Sequence, residues 1–352
     1  MSENEKKPVV GITHGDINSI SYEVIIKSFI DNRIFELLTP VVYGSSKVAS
    51  YHRKMLNVSE FNFNLIKKAD AANPKRANIV NINDQEIRIE LGKSTQIAGE
   101  LALLSLEAAV EDLKKGLIDV LVTAPINKQN IQSKNFHFPG HTEYLASRFG
   151  ATDDLMLMVS NKLRIGMATG HIPLREVPGA LTEELLLRKI GILHQSLLQD
   201  FAIRSPRIAL LGLNPHAGDN GLLGEEEQRV IKPAIDKAFA EGKLVFGPFP
   251  ADGFFGSGNY TQFDGILAMF HDQGMLPFKA FSFDSGVNYT AGLPVIRTSP
   301  AHGTAYELAG KDMASPDSFR AALYLACDIY NNRRMYADIT ANPLHVSKQE
   351  TE

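Results

Sequence analysis

Residues 207–220, RIALLGLNPHAGDN, pass from a continuous apolar run into a polar turn that contains proline and glycine. The apolar half is typical of a strand that is buried on both faces of a parallel sheet. The polar half places His216 just beyond the predicted end of that strand. Because ligands bind outside the carboxyl ends of the strands in open α/β sheets, this segment predicts both the fold class and the position of a site.

Two other segments repeat this arrangement. The segment RIGMATGH ends with His171, and the segment GILAMFHD places His271 after another apolar run. Neutral imidazole is the commonest metal ligand, and three imidazoles leave positions open for water or a substrate. We therefore predict that His171, His216 and His271 bind a catalytic divalent ion. The alternative is that each histidine is an ordinary polar residue in a loop after a strand.

Short apolar runs and longer amphipathic segments alternate along the rest of the chain. The predicted strands are 9–13, 79–82, 118–124, 155–160, 164–169, 207–214 and 265–270. Helices are predicted at 97–116, from Thr182 onward, and from a Ser315 cap with Pro316 as the first helical residue. This alternation predicts a mainly parallel sheet with helices on both faces.

The bulk composition is that of a globular protein. The chain has 352 residues, of which 44% are hydrophobic and 22% charged, with a net charge of −4. This length suits two α/β domains or one large one, and the charge argues against nucleic acid as a main partner. We expect a cytoplasmic protein, because the chain shows no signal peptide and no apolar run near the ~20 residues of a membrane span. The single cysteine, Cys327, is predicted to be a buried thiol rather than a nucleophile.

A second group of residues suits an anionic substrate. The segment FPGHTEYLASRF places His141 and Thr142 at the start of an apparent helix, where free N–H groups favour phosphate or carboxylate. Further along, Lys279, Asn288 and Arg297 lie among turn-forming glycines and prolines and interrupt apolar stretches. Their charges and donors suit a phosphorylated acid. The alternatives are a plain helix cap at Thr142 and a solvated loop with scattered charges.

Two further residues are candidates for proton transfer. The motif TAPINK brings Lys128 to the same predicted sheet edge, although a surface lysine is the commoner case. The motif ADGFF gives Asp252 an apolar setting, where a carboxylate needs a partner. No GxGxxG follows the first strand, so a nicotinamide cofactor does not follow from the Rossmann fingerprint.

Six motifs, in their order and spacing, resemble the 4-hydroxythreonine-4-phosphate dehydrogenases of pyridoxal 5′-phosphate (vitamin B6) biosynthesis. These are TAPINK, GHTEYLA, GHIPL, LNPHAGDNGLLGEEE, HDQGMLPFK and GVNYTAGLPVIRTSPAHGTA. The resemblance covers nearly the whole chain, and the combination of motifs is highly specific. It implies the fold of the isocitrate and isopropylmalate dehydrogenases, an α/β fold with two α/β/α domains around a cleft. We expect residues 1–127 with 299–352 to form the first domain and residues 128–298 the second.

The resemblance also implies a homodimer whose active sites lie at the subunit interface. The family's metal ligands fall on His171, His216 and His271. Its substrate-contacting residues fall on His141, Thr142, Lys279, Asn288 and Arg297. The implied cofactors are NAD or NADP and one divalent ion per subunit, which would be zinc, magnesium or cobalt.

The implied reaction is the NAD(P)-dependent oxidation of the C3 hydroxyl of 4-phosphooxy-L-threonine, followed by loss of CO2 to give 3-amino-2-oxopropyl phosphate. The ion would act as a Lewis acid on the hydroxyl oxygen. Lys279, Arg297 and His141 would hold the phosphate or carboxylate. Either Asp252 or Lys128 would accept the proton.

Four positions depart from the family pattern. Ser19 and Ser21 replace two glycines, Gly253 replaces a common threonine, and Ala301 replaces a common aspartate. A serine would strain the first loop if either glycine had a positive φ. The departures bear on cofactor affinity and substrate choice. The rival functions are a dehydrogenase of 4-phospho-erythronate or threonate, a metal-dependent lyase or hydrolase, and a non-catalytic binder of phosphorylated metabolites.

Overall fold

The computed structural model describes residues 7–134 and 136–342. The strands are β1 Val9–Thr13, β2 Thr39–Gly44, β3 Asn64–Ile66, β4 Asn78–Asn81, β5 Val120–Thr123, β6 Leu155–Val159, β7 Arg164–Met167, β8 Arg207–Leu211, β9 Leu244–Phe249, β10 Gly265–Ala268, β11 Val287–Ala291 and β12 Arg297–Pro300. The helices are α1 Ser21–Ser28, α2 Ser46–Met55, α3 Gln96–Lys114, α4 His141–Phe149, α5 Val177–Ala180, α6 Glu183–Gln199, α7 Lys232–Ala240, α8 Ala251–Gly256, α9 His271–Ser282 and α10 Asp317–Thr340.

The strands form one twelve-stranded sheet in the order β3-β4-β2-β1-β5-β12-β11-β6-β7-β10-β8-β9. Within the described residues, β11 is antiparallel to both β12 and β6, and β6 is antiparallel to β7. The other neighbouring strands are parallel, which confirms the mainly parallel sheet. Strand β10 pairs in parallel with both β7 and β8, so the carboxyl ends of these three strands lie at one edge.

All seven predicted strands are present within a few residues of their predicted bounds. Thr182 caps α6, because its hydroxyl accepts a hydrogen bond from the Leu185 amide. Helix α10 begins at Asp317, one residue later than predicted. The sequence analysis missed five strands, of which β11 and β12 matter most: Asn288 and Arg297 lie on strands and not in a turn-rich loop.

One face of the sheet carries a single hydrophobic core, whereas the other face carries two. The continuous core includes Val10, Val122, Leu157 and Leu210, and helices α1, α6 and α10 pack into it. On the other face, one core lies under α3 and α4 and a second lies under α8 and α9. The gap between these two cores is the cleft. The proposed division into two domains stays a prediction, since the sheet and one core run through both parts.

Helix α10 packs Cys327 into the continuous core. Burial raises the pKa of this thiol to about 12, which confirms the prediction of a buried, unreactive cysteine. None of the described helices combines the length and the apolar character needed to cross a bilayer.

The loop between β1 and α1 contains the two serines that replace the family's glycines. Neither Ser19 nor Ser21 has a positive φ, so the replacements cause no backbone strain. The Ser19 hydroxyl donates to the Asp16 carbonyl at 2.6 Å and lies 2.8 Å from the Ser21 hydroxyl. Ser21 in turn donates to the carbonyl of Pro125 at 3.2 Å. The serines therefore tie this loop to the segment after β5.

Three buried rings stack beside the same loop. The ring centroids of His14 and Tyr22 are 5.4 Å apart, and those of Tyr22 and His52 are 5.2 Å apart. His52 Nε2 donates to the Ile17 carbonyl at 2.8 Å. Burial lowers the pKa of both histidines from 6.5 to about 4. The folded state therefore requires both imidazoles to be neutral.

We predict that His52→Gln makes the free energy of unfolding less sensitive to acid. The stability that a neutral His52 contributes is complete above pH 6.5 and is lost as the pH falls toward about 4. Each such histidine changes the free energy of unfolding by about 1.4 kcal/mol per pH unit in this window. Urea unfolding across the window, with a chelator present, measures the slope. The exposed His137→Gln should keep the wild-type slope, and an unchanged slope in His52→Gln would contradict the assignment.

Candidate active site

Strands in the middle of the sheet form the floor of a cavity of about 250 Å³. Side chains of a strand alternate between faces, and Met158, Asn288 and Ser299 lie opposite one another across β6, β11 and β12. Their neighbours Val287 and Tyr289 enter the continuous core on the other face. The cavity therefore occupies the cleft between the two smaller cores.

Arg297, on β12, is the charged group of this floor and is only 4% exposed. Its guanidinium donates to Thr123 Oγ1 at 3.0 and 2.7 Å and to His141 Nδ1 at 3.2 Å. Burial lowers the pKa of Arg297 to about 10, so the group remains charged at neutral pH. It forms no ion pair within the described residues. A buried guanidinium of this kind is well suited to bind an anion.

His141, the first residue of α4, also lines the cavity. Because the guanidinium of Arg297 can only donate, Nδ1 of His141 accepts and Nε2 carries the ring proton. This Nε2 is buried and has no hydrogen-bond partner within the described residues. Burial, and then the charges of Arg297 and Lys128, lower the pKa of His141 well below 6.5. His141 is therefore a neutral donor, placed at the positive end of a helix dipole.

Two more buried polar atoms of the cavity have no partner within the described part of the chain. These are Asn288 Oδ1 and His302 Nε2. Lys128 lies at the cavity wall, and no aspartate or glutamate is among the described residues that line it. Buried polar atoms are almost always paired in proteins. The cavity therefore has the composition of a binding site for a small polar anion.

His171 and His271 lie side by side beyond the carboxyl ends of β7 and β10. Their ring centroids are 5.2 Å apart, and the rings are tilted by 41°. Burial, followed by the charges of Lys128 and His271, lowers the pKa of His171. Met275, one helical turn after His271, lines the cavity. The histidine pair therefore adjoins the cavity, and its spacing is compatible with two ligands of one metal ion.

His216 lies in the turn after β8, the strand that neighbours β10. From His216 to Asn220, five successive residues have φ between +41° and +78°. This left-handed conformation costs about 1–2 kcal/mol for each residue that carries a Cβ atom. His216 is exposed, and among the described residues no three His, Cys, Asp or Glu side chains form a group that could hold a metal ion. The three histidines therefore follow adjacent strands, but within the described part of one chain they do not come together as a three-ligand metal site.

The carboxylate of Glu227 holds this strained turn. The side chain is 4% exposed, and its Oε1 accepts from the Leu213 and Asn214 amides, both at 2.7 Å. Its Oε2 accepts from Asn214 Nδ2 at 3.0 Å. Three hydrogen bonds to one buried carboxylate offset part of the strain that the backbone carries from His216 onward.

Gln273 links this turn to α9. Its amide nitrogen donates to the Gly212 carbonyl at 2.6 Å, and its amide oxygen accepts from the Met269 amide at 2.7 Å. Gly212 ends the strand segment that leads to His216, and Gln273 lies in the first turn of the helix that His271 opens. The side chain therefore joins the two strand ends that carry these histidines.

The remaining predicted residues lie at different distances from the cavity. Thr142 places its hydroxyl 3.3 Å from that of Thr290, on β11. Lys279 lies two turns beyond His271 on α9, is exposed and does not line the cavity. Asp252 is also exposed, so its predicted apolar setting is wrong: helix α8 turns the nearby phenylalanine inward and the carboxylate outward.

Three functional candidates were absent from the sequence analysis. Thr123 orients Arg297, Glu227 supports the turn of His216, and His302 presents a free nitrogen to the cavity. His302 could have been noticed, because it follows a strand as the metal-ligand candidates do. The other two give no local signal, since Thr123 meets Arg297 from 174 residues away and Glu227 reaches back 13 and 14 residues to two backbone amides.

A cleft divides the cores on one face of the sheet, a buried arginine lies in this cleft, and two histidines lie side by side at the edge of the sheet. These features are those of an α/β enzyme for a small anionic substrate. The chain belongs to the family described as pyridoxal phosphate biosynthetic protein PdxA, whose model matches residues 36–326. The resemblance drawn from the six motifs is therefore confirmed at the level of the family.

Individual relatives agree with this membership. A 4-hydroxythreonine-4-phosphate dehydrogenase of Bacteroides thetaiotaomicron is 54% identical over 341 residues, which cover 97% of this chain and 93% of the relative. A Cutibacterium acnes protein, provisionally named a D-threonate 4-phosphate dehydrogenase, is 38% identical over 92% of this chain and 94% of the relative. The crystal structure of the Klebsiella pneumoniae 4-hydroxythreonine-4-phosphate dehydrogenase matches with a TM-score of 0.78 at 33% identity, covering 92% and 100% of the two chains. The expected fold class and dehydrogenase class are confirmed.

We predict that Glu227→Gln loosens the turn of His216. A neutral glutamine accepts more weakly and directs its own N–H groups at the Asn214 amide, and a hydrogen bond to a charged group is worth about 1.5–3 kcal/mol. The two amides that bind the carboxylate should exchange their hydrogens about tenfold faster or more. Glu225→Gln is the control, because this exposed side chain pairs only with Arg229 within the described residues. Equal exchange in the two variants would contradict the prediction.

Proposed function

We propose that this chain catalyses the NAD(P)-dependent oxidation of the C3 hydroxyl of 4-phosphooxy-L-threonine and the decarboxylation that follows, in pyridoxal 5′-phosphate biosynthesis. The product would be 3-amino-2-oxopropyl phosphate. The observation that carries the proposal is the buried pair of Arg297 and His141, which offers donors inside a cavity whose described lining contains no acidic residue. Such a cavity fits a substrate with both a phosphate and a carboxylate. The activity named for the Bacteroides relative supports the same reaction.

Three groups of the cavity would hold the anionic ends of the substrate. Arg297 offers the N–H groups that neither Thr123 nor His141 engages, Lys128 offers its ammonium, and His141 donates from Nε2 without adding a charge. Hydrogen bonds of this kind strengthen in a buried site, where the effective dielectric constant is low. The cavity is smaller than the roughly 300–1,000 Å³ of sites for drug-sized ligands, which favours a small substrate. Thr142, Asn288 and Lys279 remain proposed further contacts.

His171, His216 and His271 would hold the divalent ion. Neutral imidazole suits zinc and cobalt better than magnesium, and two of the three rings are already neighbours. When bound, the ion supplies Lewis-acid stabilisation of charge on the substrate oxygen, and NAD or NADP accepts the hydride. The chain's own task is to hold the substrate so that its hydroxyl lies between the histidines and the anion-binding end of the cavity.

The surface around the three histidines supports the proposed homodimer with a shared active site. One large apolar side chain within six residues of each histidine in the sequence is exposed in the single chain: Leu174 is 68% exposed, Leu222 78% and Leu276 70%. Exposed leucines near all three proposed ligands suit a surface that a second subunit covers. A second subunit that covers them would also enclose His216 and exclude water from the chemistry.

A dehydrogenase of 4-phospho-erythronate or 4-phospho-threonate is the second candidate, and one observation favours it. The substrate 4-phosphooxy-L-threonine carries an ammonium group, whereas the sugar acids carry a hydroxyl in its place. Ala301 stands at the cavity where the family commonly has an aspartate, and the described lining offers no carboxylate for an ammonium. The Cutibacterium relative is named for such a sugar acid.

Formation of reduced nicotinamide tests the proposed reaction directly. Protein that has been loaded with zinc or cobalt should reduce NAD or NADP when 4-phosphooxy-L-threonine is added, and a chelator should abolish this activity. Parallel assays use D-erythronate and D-threonate 4-phosphates. A higher kcat/KM for a sugar acid would support the second candidate. Absence of turnover with every substrate and both cofactors would contradict both proposals.

We predict that Arg297→Ala raises the KM for the phosphorylated substrate by about 10- to 100-fold, because charged hydrogen bonds of about 1.5–3 kcal/mol are lost. Arg297→Lys should recover part of the affinity, since it keeps the charge but not the fork of donors. Steady-state kinetics measure both effects. Arg33→Ala, at an exposed position whose ion pair lies far from the cavity in the fold, should leave the KM unchanged. An unchanged KM in Arg297→Ala would contradict anion binding by this residue.

A further inference from the structure

His302 lies just beyond β12, and its imidazole lines the cavity. Its Nδ1 is 3.1 Å from the carbonyl oxygen of Gly303. A carbonyl oxygen only accepts, so Nδ1 carries the ring proton and Nε2 carries the free electron pair. Nε2 is buried and has no hydrogen-bond partner within the described residues. The chain therefore holds one ring nitrogen in place and presents the other, as a proton acceptor, to the cavity.

A purely structural role would leave this arrangement unexplained. A buried polar atom without a partner costs about 1–3 kcal/mol, and a purely apolar side chain at this position would avoid that cost. Burial lowers the pKa of His302 below 6.5, so the ring is neutral at physiological pH and can accept a proton. The other titratable groups that line the cavity are Lys128, His141 and Arg297. The phosphate and carboxylate of a bound substrate would offset their positive charge and stabilise a protonated His302.

The two residues first considered for proton transfer are less suitable. Lys128 is exposed, whereas a general base must be held within reach of the proton that it accepts. Asp252 is exposed on α8 and does not line the cavity. Of the described groups that line the cavity, His302 alone presents an imidazole nitrogen with a free electron pair. His141 differs, because its free nitrogen bears the proton.

We propose that His302 is the general base of the dehydrogenation, which makes it a further catalytic residue of the proposed function. Oxidation of the secondary alcohol breaks one C–H bond and one O–H bond and forms a C=O bond. The hydride goes to the nicotinamide, which is the oxidant, and the hydroxyl proton goes to Nε2 of His302. The Gly303 carbonyl, which binds the opposite N–H, stabilises the imidazolium that results.

The experiment compares His302→Asn with the wild type as full-length, metal-loaded protein. Asparagine places an amide nitrogen near the position of Nδ1, so it can still donate to Gly303, but it removes Nε2. Because general bases contribute about 10²–10⁴-fold, kcat should fall at least about 100-fold while the substrate KM changes less than about threefold. The pH profile of kcat should lose its acid limb. His194→Gln, on α6, is the control and should behave like the wild type.

Two results would overturn the proposal. One is a fall in kcat of less than about tenfold, and the other is a rise in KM with kcat retained, which would assign His302 to binding. His302→Gln provides a second variant if His302→Asn is poorly folded by circular dichroism, and the same criteria apply to it. A wild-type protein that shows no dehydrogenase activity would contradict the proposed function itself, whereas an active wild type with an active variant would contradict only the role of His302.

Discussion

The alternation of side chains across the middle strands of the sheet is the constraint on which the site depends. Strands β11 and β6 send one set of side chains into a core that runs the length of one face, and β12 turns Thr298 toward α10, which packs into the same core. The same alternation sends Arg297, Asn288 and Met158 to the other face, where two smaller cores leave a gap. A slip of one residue in any of these pairings would bury the charged and polar groups in the continuous core. Stability and the cavity proposed to bind the anionic substrate therefore depend on the same register.

The parallel pairing of β7, β10 and β8 adds the second part of the site. It places the carboxyl ends of these three strands at one edge, and each of these ends is followed by a histidine. The turn that carries His216 adopts a strained left-handed conformation, and the buried carboxylate of Glu227 supports it. Backbone strain that the surrounding structure maintains is typical of functional sites. The strain thus falls on the turn that carries one of the three proposed metal ligands.

Much of this arrangement could be predicted from the sequence, and the failures have physical reasons. The three histidines were found because each follows an apolar run, and that signal is local. Asn288 and Arg297 were found as candidates but were placed in a loop, because nearby glycines and prolines concealed the short strands that carry them. Asp252 was given an apolar setting because its neighbours are aromatic, although the helix directs it outward. Thr123 meets Arg297 from 174 residues away, and Glu227 binds backbone amides 13 and 14 residues before it, which no residue pattern marks.

The central claim is that the strand-end histidines form one metal site beside the anion-binding cavity. The most direct test is a crystal structure of the zinc-loaded protein in which anomalous scattering locates the ion. The account predicts one strong peak per chain, with imidazole nitrogens of His171, His216 and His271 at about 2.0–2.1 Å, contributed by one subunit or by two. A fully loaded protein whose zinc lies elsewhere, with these three histidines unligated, would contradict it.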